Sequence, residues 1–307
     1  MSTPHWPGAE WSVAGRTLFV RSSTAAVSVT PPRPTALMIH GLGGQATNWT
    51  DLMTEMVDDV AAWAPDLPGF GWSPAPQDAN YSLTADAEIV SAMLEQLHAE
   101  RGERVHLLGN SMGGAIAVLV AAARPDLVAT LTLISPAFPD LRPRRDTMGV
   151  PVVALPGLGR QLLARMAQVP AERQVQGMVA LNYGDANAFT VERRAEAVAE
   201  VERRLALPHA GEALSGAARG LLRAFVDPGP SGLWARAAQI TCPTLVIYGG
   251  RDRLVDPRRS RRVARQMPNA QIVTLPKAGH VAQLEDPALV ARFIRPLLAD
   301  SRRTASR

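Results

Sequence analysis

Three side chains in this 307-residue sequence are of the types needed to activate a hydroxyl: Ser111, Asp252 and His280. Ser111 lies in Gly109-Asn110-Ser111-Met112-Gly113-Gly114, with a glycine two residues to either side. A serine spaced in this way fits a strained strand-to-helix turn, because a side chain at either glycine would crowd the elements packed there. Its hydroxyl would stand clear of the sheet. The Met112 N–H, at the start of the following helix, would be free to meet a developing negative charge. A serine hydroxyl is a poor nucleophile until a histidine takes its proton. The histidine in turn needs a carboxylate to fix its tautomer and stabilise its cation. His280 and Asp252 supply these two groups.

Each assignment has rivals. Asp256 and Asp140 compete for the role of acid, and Asp252 could instead cap the helix after it. His5 is terminal, His98 ends a surface helix, His106 lies within a strand and His209 falls in a helical block. His40 sits in the glycine-rich segment His40-Gly41-Leu42-Gly43-Gly44, where its ring is better suited to brace the loop than to accept a proton. His280 is the base this reading selects.

These residues need a scaffold, and the hydrophobic pattern supplies one. Continuous apolar runs at 36–39, 60–64, 105–108, 131–134 and 244–248 read as strands covered on both faces. Residues 11–20 read as a hairpin turning at Ala14-Gly15. Helical periodicity marks 51–56, 83–98, 115–123 and 287–298, and Pro125 disfavours continuing the third of these past Arg124. Between about Phe138 and Ala238 the strand signal disappears. Helices are expected there at 158–169, 170–181, 190–205 and 211–225, with Thr190 as an N-cap. Strands and helices alternating on either side of a helical block imply an α/β fold. The expected architecture is a mostly parallel, doubly wound sheet with an inserted helical cap. The boundaries expected are a core of 1–138 and 239–300, a cap of 139–238, and a basic tail of 301–307. Ligands of such sheets bind beyond the carboxyl ends of the strands, and the segments at 40–44, 111, 252 and 280 all follow strands.

Composition narrows the function classes. The chain is 47% apolar with a net charge of +4, and Lys277 is its one lysine, so the positive charge is arginine. The cluster Arg258-Arg259-Ser260-Arg261-Arg262 reads as a solvated helix face; no nucleic-acid motif accompanies it. Cys242 is the only cysteine, best read as a structural thiol, and no Cys/His spacing suggests zinc or another metal. No glycine-rich nucleotide motif occurs, so no cofactor is expected. There is no apolar run of the length that spans a bilayer, and 1–10 lacks the features of a secretory signal. A cytoplasmic protein is expected.

With these motifs in hand, the chain resembles the α/β-hydrolase superfamily across nearly its full length. His40 to Gly44 is similar to the oxyanion-loop motif, 66–73 to the glycine-rich loop, 109–114 to the nucleophile elbow, and Gly250-Arg251-Asp252 and Gly279-His280 to the acid and histidine segments. The chain order Ser, Asp, His is that of the superfamily. The resemblance implies a catalytic triad of Ser111, Asp252 and His280, with the backbone N–H groups of Leu42 and Met112 as the oxyanion hole. The elbow looks most like those of carboxylesterases and of hydrolases that cleave meta-ring-fission products. The glycine loop lacks the Gly-Pro-Gly common in the latter, and Val281 follows His280 where many of them have tryptophan.

The expected activity is therefore cleavage of a small-molecule carboxylic ester with an apolar acyl or alcohol group. The alternative is hydrolysis of a carbon–carbon bond in a ring-fission diketone, and a third reading is a non-catalytic ligand receptor. Met148, Leu155, Met166, Met178, Phe225, Leu233 and Trp234 are candidates to line an apolar pocket, with packing inside the cap as their competing role. The oligomeric state is not written in the sequence; a homodimer is one assembly open to it.

Overall fold

A run of residues buried on both faces can only be the middle of a layered structure, and that is where the apolar runs lie. The computed structural model describes residues 3–24, 33–139, 145–147, 149–227 and 229–305. An antiparallel hairpin opens the chain, β1 (Gly8–Val13) and β2 (Arg16–Ser22). Its turn places Ala14 and Gly15 at positive φ, 49° and 75°, the backbone that a tight hairpin of this hand requires. There follow β3 (Thr35–Ile39), α1 (Thr50–Glu55), β4 (Ala61–Pro65), α2 (Leu83–Arg101), β5 (Val105–Asn110), α3 (Met112–Ala123) and β6 (Val128–Ile134).

Between β6 and the next strand the described elements are all helical. They are α4 (Gly149–Ala154), α5 (Leu158–Met166), α6 (Ala171–Asn182), α7 (Val191–Leu205), α8 (Ala210–Val226) and α9 (Leu233–Ala237). The chain ends with β7 (Thr244–Gly249), α10 (Ser260–Gln266), β8 (Ala270–Leu275), α11 (Ala282–Glu285) and α12 (Pro287–Ala305). The sheet runs β1-β2-β4-β3-β5-β6-β7-β8. From β4 to β8 every pairing is parallel, and only the hairpin joins antiparallel. This is the expected α/β fold, a mostly parallel sheet with helices against it.

Alternation along each strand divides the core in two. Leu37 and Ile39 of β3, Leu107 of β5 and Val246 of β7 face α2, α3 and α10. Ala36 and Met38, Leu108, and Leu245 and Ile247 face α1 and α12. A residue in the centre of such a sheet has no water on either side, so both phases of the period-two pattern are apolar. Burial of each such leucine or isoleucine contributes about 1.5–3 kcal/mol.

The helical block is tied to this core at several points. Ala213, Ala217 and Leu221 of α8 join the large cluster, as do Leu233 and Ala237 of α9. Gly216 and Gly220 let α8 approach the chain at Tyr81 and Ser82, where a Cβ on either would overlap Tyr81. By contrast α6 and α7 pack on each other around a small cluster of their own: Ala171, Val175, Val179 and Val201. Thr190 caps α7 through its hydroxyl, which accepts from the Arg193 N–H at 3.2 Å. Among the described residues no helix is long and apolar enough to cross a membrane.

Candidate active site

The elbow is built by the absence of side chains. A Cβ on Gly109 would overlap the main chain of Gly113 and Gly114, and one on Gly113 would overlap the carbonyls of Ile39 and His40. Gly109 is therefore required for β5 and α3 to meet at so sharp an angle, and Gly113 for α3 to start against the end of β3. Ser111 between them adopts φ 54° and ψ −118°, a conformation costly for any residue with a side chain. What holds it there is hydrogen bonding. Its N–H donates to Ile134 O at 3.0 Å, and its carbonyl accepts from Ala115 at 3.1 Å and from Ala137 at 2.9 Å. Met112 opens α3, so its N–H has no carbonyl one turn back to bond.

The loop 40–44 packs directly on this elbow: a Cβ on Gly41 would lie 3.0 Å from the Ser111 Cβ. Leu42 follows, partly buried against the large core. The His40 ring is fully buried and holds the loop in place. Its Nε2 accepts from the Leu67 N–H at 3.0 Å, which leaves Nδ1–H to donate to Gly41 O at 2.8 Å. Burial pushes the ring pKa down to about 4, so His40 is neutral and both its nitrogens are occupied. It is a brace, as expected. The neighbouring Asp66 adds a second tie. Its carboxylate accepts from the Ala46 N–H at 2.6 Å and the Trp72 N–H at 2.8 Å, joining the segment after loop 40–44 to the glycine-rich loop.

Asp252 and His280, 28 residues apart in sequence, meet in the interior. His280 Nδ1 donates to Asp252 Oδ2 at 2.9 Å, and the two side chains are only 4% and 0% exposed. The other carboxylate oxygen accepts from the Leu254 N–H at 2.8 Å and the Val255 N–H at 2.9 Å. Asp252 thus both meets the histidine and orders the loop after it. Burial works against its ionisation, but the His280 charge and hydrogen bond and the backbone N–H bond from Val255 outweigh it. The carboxyl group is held below the usual carboxylate range.

Most of the rivals are engaged elsewhere. Asp256 accepts from the Arg258 N–H at 3.0 Å as the cap of a short helical turn, and Asp140 lies outside the described residues. His5 bonds Thr50 Oγ1, His98 bonds Glu103 O, and His106 bonds Thr130 Oγ1. His209 is the N-cap residue of α8. Cys242 is buried, and burial raises its thiol pKa to about 11, as befits a packing residue.

Several residues at this site carried no signal in the sequence. Asn110 is 5% exposed, and its side-chain amide donates to Ile134 O at 3.0 Å and His280 O at 3.1 Å. Asn182, the last residue of α6, accepts from the His280 N–H at 2.7 Å through its carbonyl. Arg204, on α7, is partly buried and donates to Gly43 O in loop 40–44 at 3.2 Å. Burial pulls its pKa below the usual arginine range.

The pocket candidates scatter. Leu155, Met166 and Met178 are 50%, 44% and 40% exposed, whereas Leu233 is buried in the large core. Phe225 and Trp234 pack against that core, with Trp234 stacked on Phe138 at 4.2 Å and the Arg262 guanidinium 4.1 Å above its ring. Met148 lies outside the described residues. A surface groove of about 330 Å³ between α4 and α8, lined by Val152, Leu155, Arg219 and Leu222, includes none of Ser111, Asp252 and His280.

The chain is similar to known proteins. A model of the alpha/beta hydrolase fold family matches residues 34–287. The chain is 30% identical over 271 residues to a 2-hydroxy-6-oxononadienedioate/2-hydroxy-6-oxononatrienedioate hydrolase of Cupriavidus pinatubonensis (strain JMP 134 / LMG 1197), covering 87% of each chain. It is 27% identical to a 2-hydroxymuconate semialdehyde hydrolase of Pseudomonas sp. (strain CF600), covering 86% of this chain and 87% of that one. Among solved structures, a bacterial membrane phospholipase A superposes with a TM-score of 0.76 at 25% identity, covering 96% of this chain and 86% of that one.

Proposed function

Because the chain belongs to the alpha/beta hydrolase fold family, we propose that it is a serine hydrolase that cleaves a carboxylic ester with an apolar acyl or alcohol group. In this reading Ser111 Oγ attacks the ester carbonyl as His280 Nε2 takes its proton. Asp252 keeps the other ring proton on Nδ1 and stabilises the imidazolium that forms. The Leu42 and Met112 N–H groups bind the oxyanion. His280 then protonates the departing alcohol, and water activated by the same ring releases the acyl group and restores Ser111. The helical block 139–238 acts as the cap over the site. The observation that carries the reading is the buried His280–Asp252 hydrogen bond of 2.9 Å, beside an elbow whose serine is held at φ 54°. The third reading, a non-catalytic ligand receptor on this fold, is separated from it by turnover: a receptor would not hydrolyse the ester catalytically.

A second reading, hydrolysis of a carbon–carbon bond in a ring-fission diketone, is favoured by the names of the two relatives. It would use the same three side chains, so the distinction rests on what the pocket binds. A ring-fission product carries a carboxylate and needs a cationic partner. Arg160, Arg165, Arg173 and Arg223 are exposed, but the partly buried Arg204 beside Gly43 could fill that role. Val281 offers no aromatic face to a planar substrate. The test is a side-by-side steady-state comparison at one pH of p-nitrophenyl esters of graded chain length with a ring-fission diketone. We expect kcat/KM on neutral short or medium esters to exceed that on the diketone by at least about a hundredfold, roughly the worth of one charge-assisted contact. A higher value on the diketone establishes the second reading.

A further inference from the structure

Three glycines bring three stretches of main chain together around His280. A Cβ on Gly249, at the end of β7, would overlap the Gly279 carbonyl. On the other side, a Cβ on Gly279 would overlap Asn182 O and Gly184 N, and one on Gly184 would overlap Lys277 O. The histidine loop is thus sandwiched between the acid strand and the turn that leaves α6. Backbone bonds fix both contacts: Arg251 N–H donates to Ala278 O at 2.9 Å, and His280 N–H donates to Asn182 O at 2.7 Å.

Main chain packed on main chain leaves N–H groups that need acceptors. One side chain supplies them. Glu285, the last residue of α11 and five positions after His280, accepts from Gly279 N–H through Oε1 at 2.6 Å. Its Oε2 accepts from Gly184 N–H at 2.8 Å and Asp185 N–H at 3.3 Å. One oxygen therefore holds the histidine loop and the other holds the α6–α7 turn. The Arg251 guanidinium reaches the same turn from the acid loop, donating to Gly184 O at 3.1 Å.

We propose that Glu285 is a positioning residue that locks the α6–α7 turn onto the loop carrying His280, making this turn part of the frame that aims the catalytic ring. The proposal rests on His280 being the general base. It has a mechanical corollary: the α6–α7 turn cannot lift away from the sheet without releasing His280. Both carboxylate oxygens are used, each as an acceptor. A glutamine has the same shape but one acceptor oxygen, and its NH₂ would face an N–H donor. Glu285→Gln therefore breaks one side of the clamp with little change in volume.

The test compares hydrogen exchange and turnover in the full-length wild type and Glu285→Gln. We expect amide exchange to rise at least about tenfold in both 276–281 and 182–186, equivalent to about 1.4 kcal/mol of lost local protection. On a p-nitrophenyl ester, kcat per active site titrated with a fluorophosphonate should fall about tenfold, with KM changed less than twofold. A purely structural role would lower the titratable fraction and the melting temperature but not kcat per site. Unchanged exchange in either segment, or unchanged kcat per site, overturns the proposal. If Glu285→Gln does not fold, Arg251→Gln cuts the same turn from its exposed side and is expected to act in the same direction; no effect there also overturns it. A wild type that turns over no ester would sink the ester reading, while the exchange comparison still decides the clamp.

Discussion

The side-chain amide of Asn110 donates to the carbonyl of His280 at 3.1 Å, across 170 residues of sequence. The residue preceding the elbow serine thus holds the main chain of the residue proposed to activate that serine. Its second donor goes to Ile134 O at 3.0 Å, so one buried amide links β5, β6 and the histidine loop.

Asn110→Ala removes the donor from the buried His280 carbonyl, whereas Ile134 O keeps the Ser111 N–H. An unsatisfied buried polar group costs about 1–3 kcal/mol. Thermal unfolding should show a loss of that order. Ester hydrolysis should lose about tenfold to a hundredfold in kcat as the His280 loop drifts, 1.4 kcal/mol corresponding to about tenfold. A variant with wild-type kcat would mean that Gly279 and Asn182 hold the loop without Asn110.

Asp252→Asn should preserve the fold and remove the acceptor that keeps the proton on His280 Nδ1. The wrong tautomer then faces Ser111, and kcat is expected to fall on the order of 10⁴. Asp256→Asn, which touches only a helical cap, should stay within about twofold on the same assay, since exposed caps act through stability. The pH dependence follows from the sign of the shift. The Asp252 carboxyl is held below its ordinary value in the folded protein, so its contribution to stability is complete above the usual carboxylate range. It is lost as the pH falls through the lowered value. Urea midpoints of wild type and Asp252→Asn should therefore differ at pH 7 and converge under strongly acidic conditions.

Asp86 titrates in the opposite sense. It lies in the first turn of α2, 5% exposed, and burial raises its pKa to about 7, with the Arg16 charge only partly opposing this. A carboxyl raised in the folded state stabilises the fold below its unfolded value of about 4. That contribution disappears as the pH climbs through about 7. Asp86→Asn should therefore gain melting temperature relative to wild type at pH 8.5 and little or none at pH 4. A pH-independent difference between the two would show that Asp86 ionises without penalty.

The sheet and the elbow were legible because they depend on local constraints. Gly109 and Gly113 are spaced as they are because nothing larger fits, and the apolar runs mark strands because both faces are covered. His280 and Asp252 could be nominated from their positions after strands, and the structure brings their side chains together. What stayed hidden depends on pairings between distant segments. Glu285 touches Gly184 across 101 residues, and nothing in the local sequence around either residue signals the other. Arg203 and Arg204 are neighbours on one charged helix. One pairs with Glu200 and the other reaches Gly43, a difference that helical periodicity cannot express. The short helices α4 and α9 are likewise illegible in the sequence, being too brief for a period to appear.

The central claim is that Ser111 is a nucleophile. It is tested most directly by kcat on a short p-nitrophenyl ester for wild type and Ser111→Ala, with mass mapping of the wild type after fluorophosphonate treatment. Alanine fits the elbow at least as well as serine, so the variant should fold. The members of such a triad act as a unit, so kcat should fall on the order of a millionfold, with the phosphonate adduct found on Ser111 alone. Activity retained within about tenfold, or an adduct on another residue, would contradict the account.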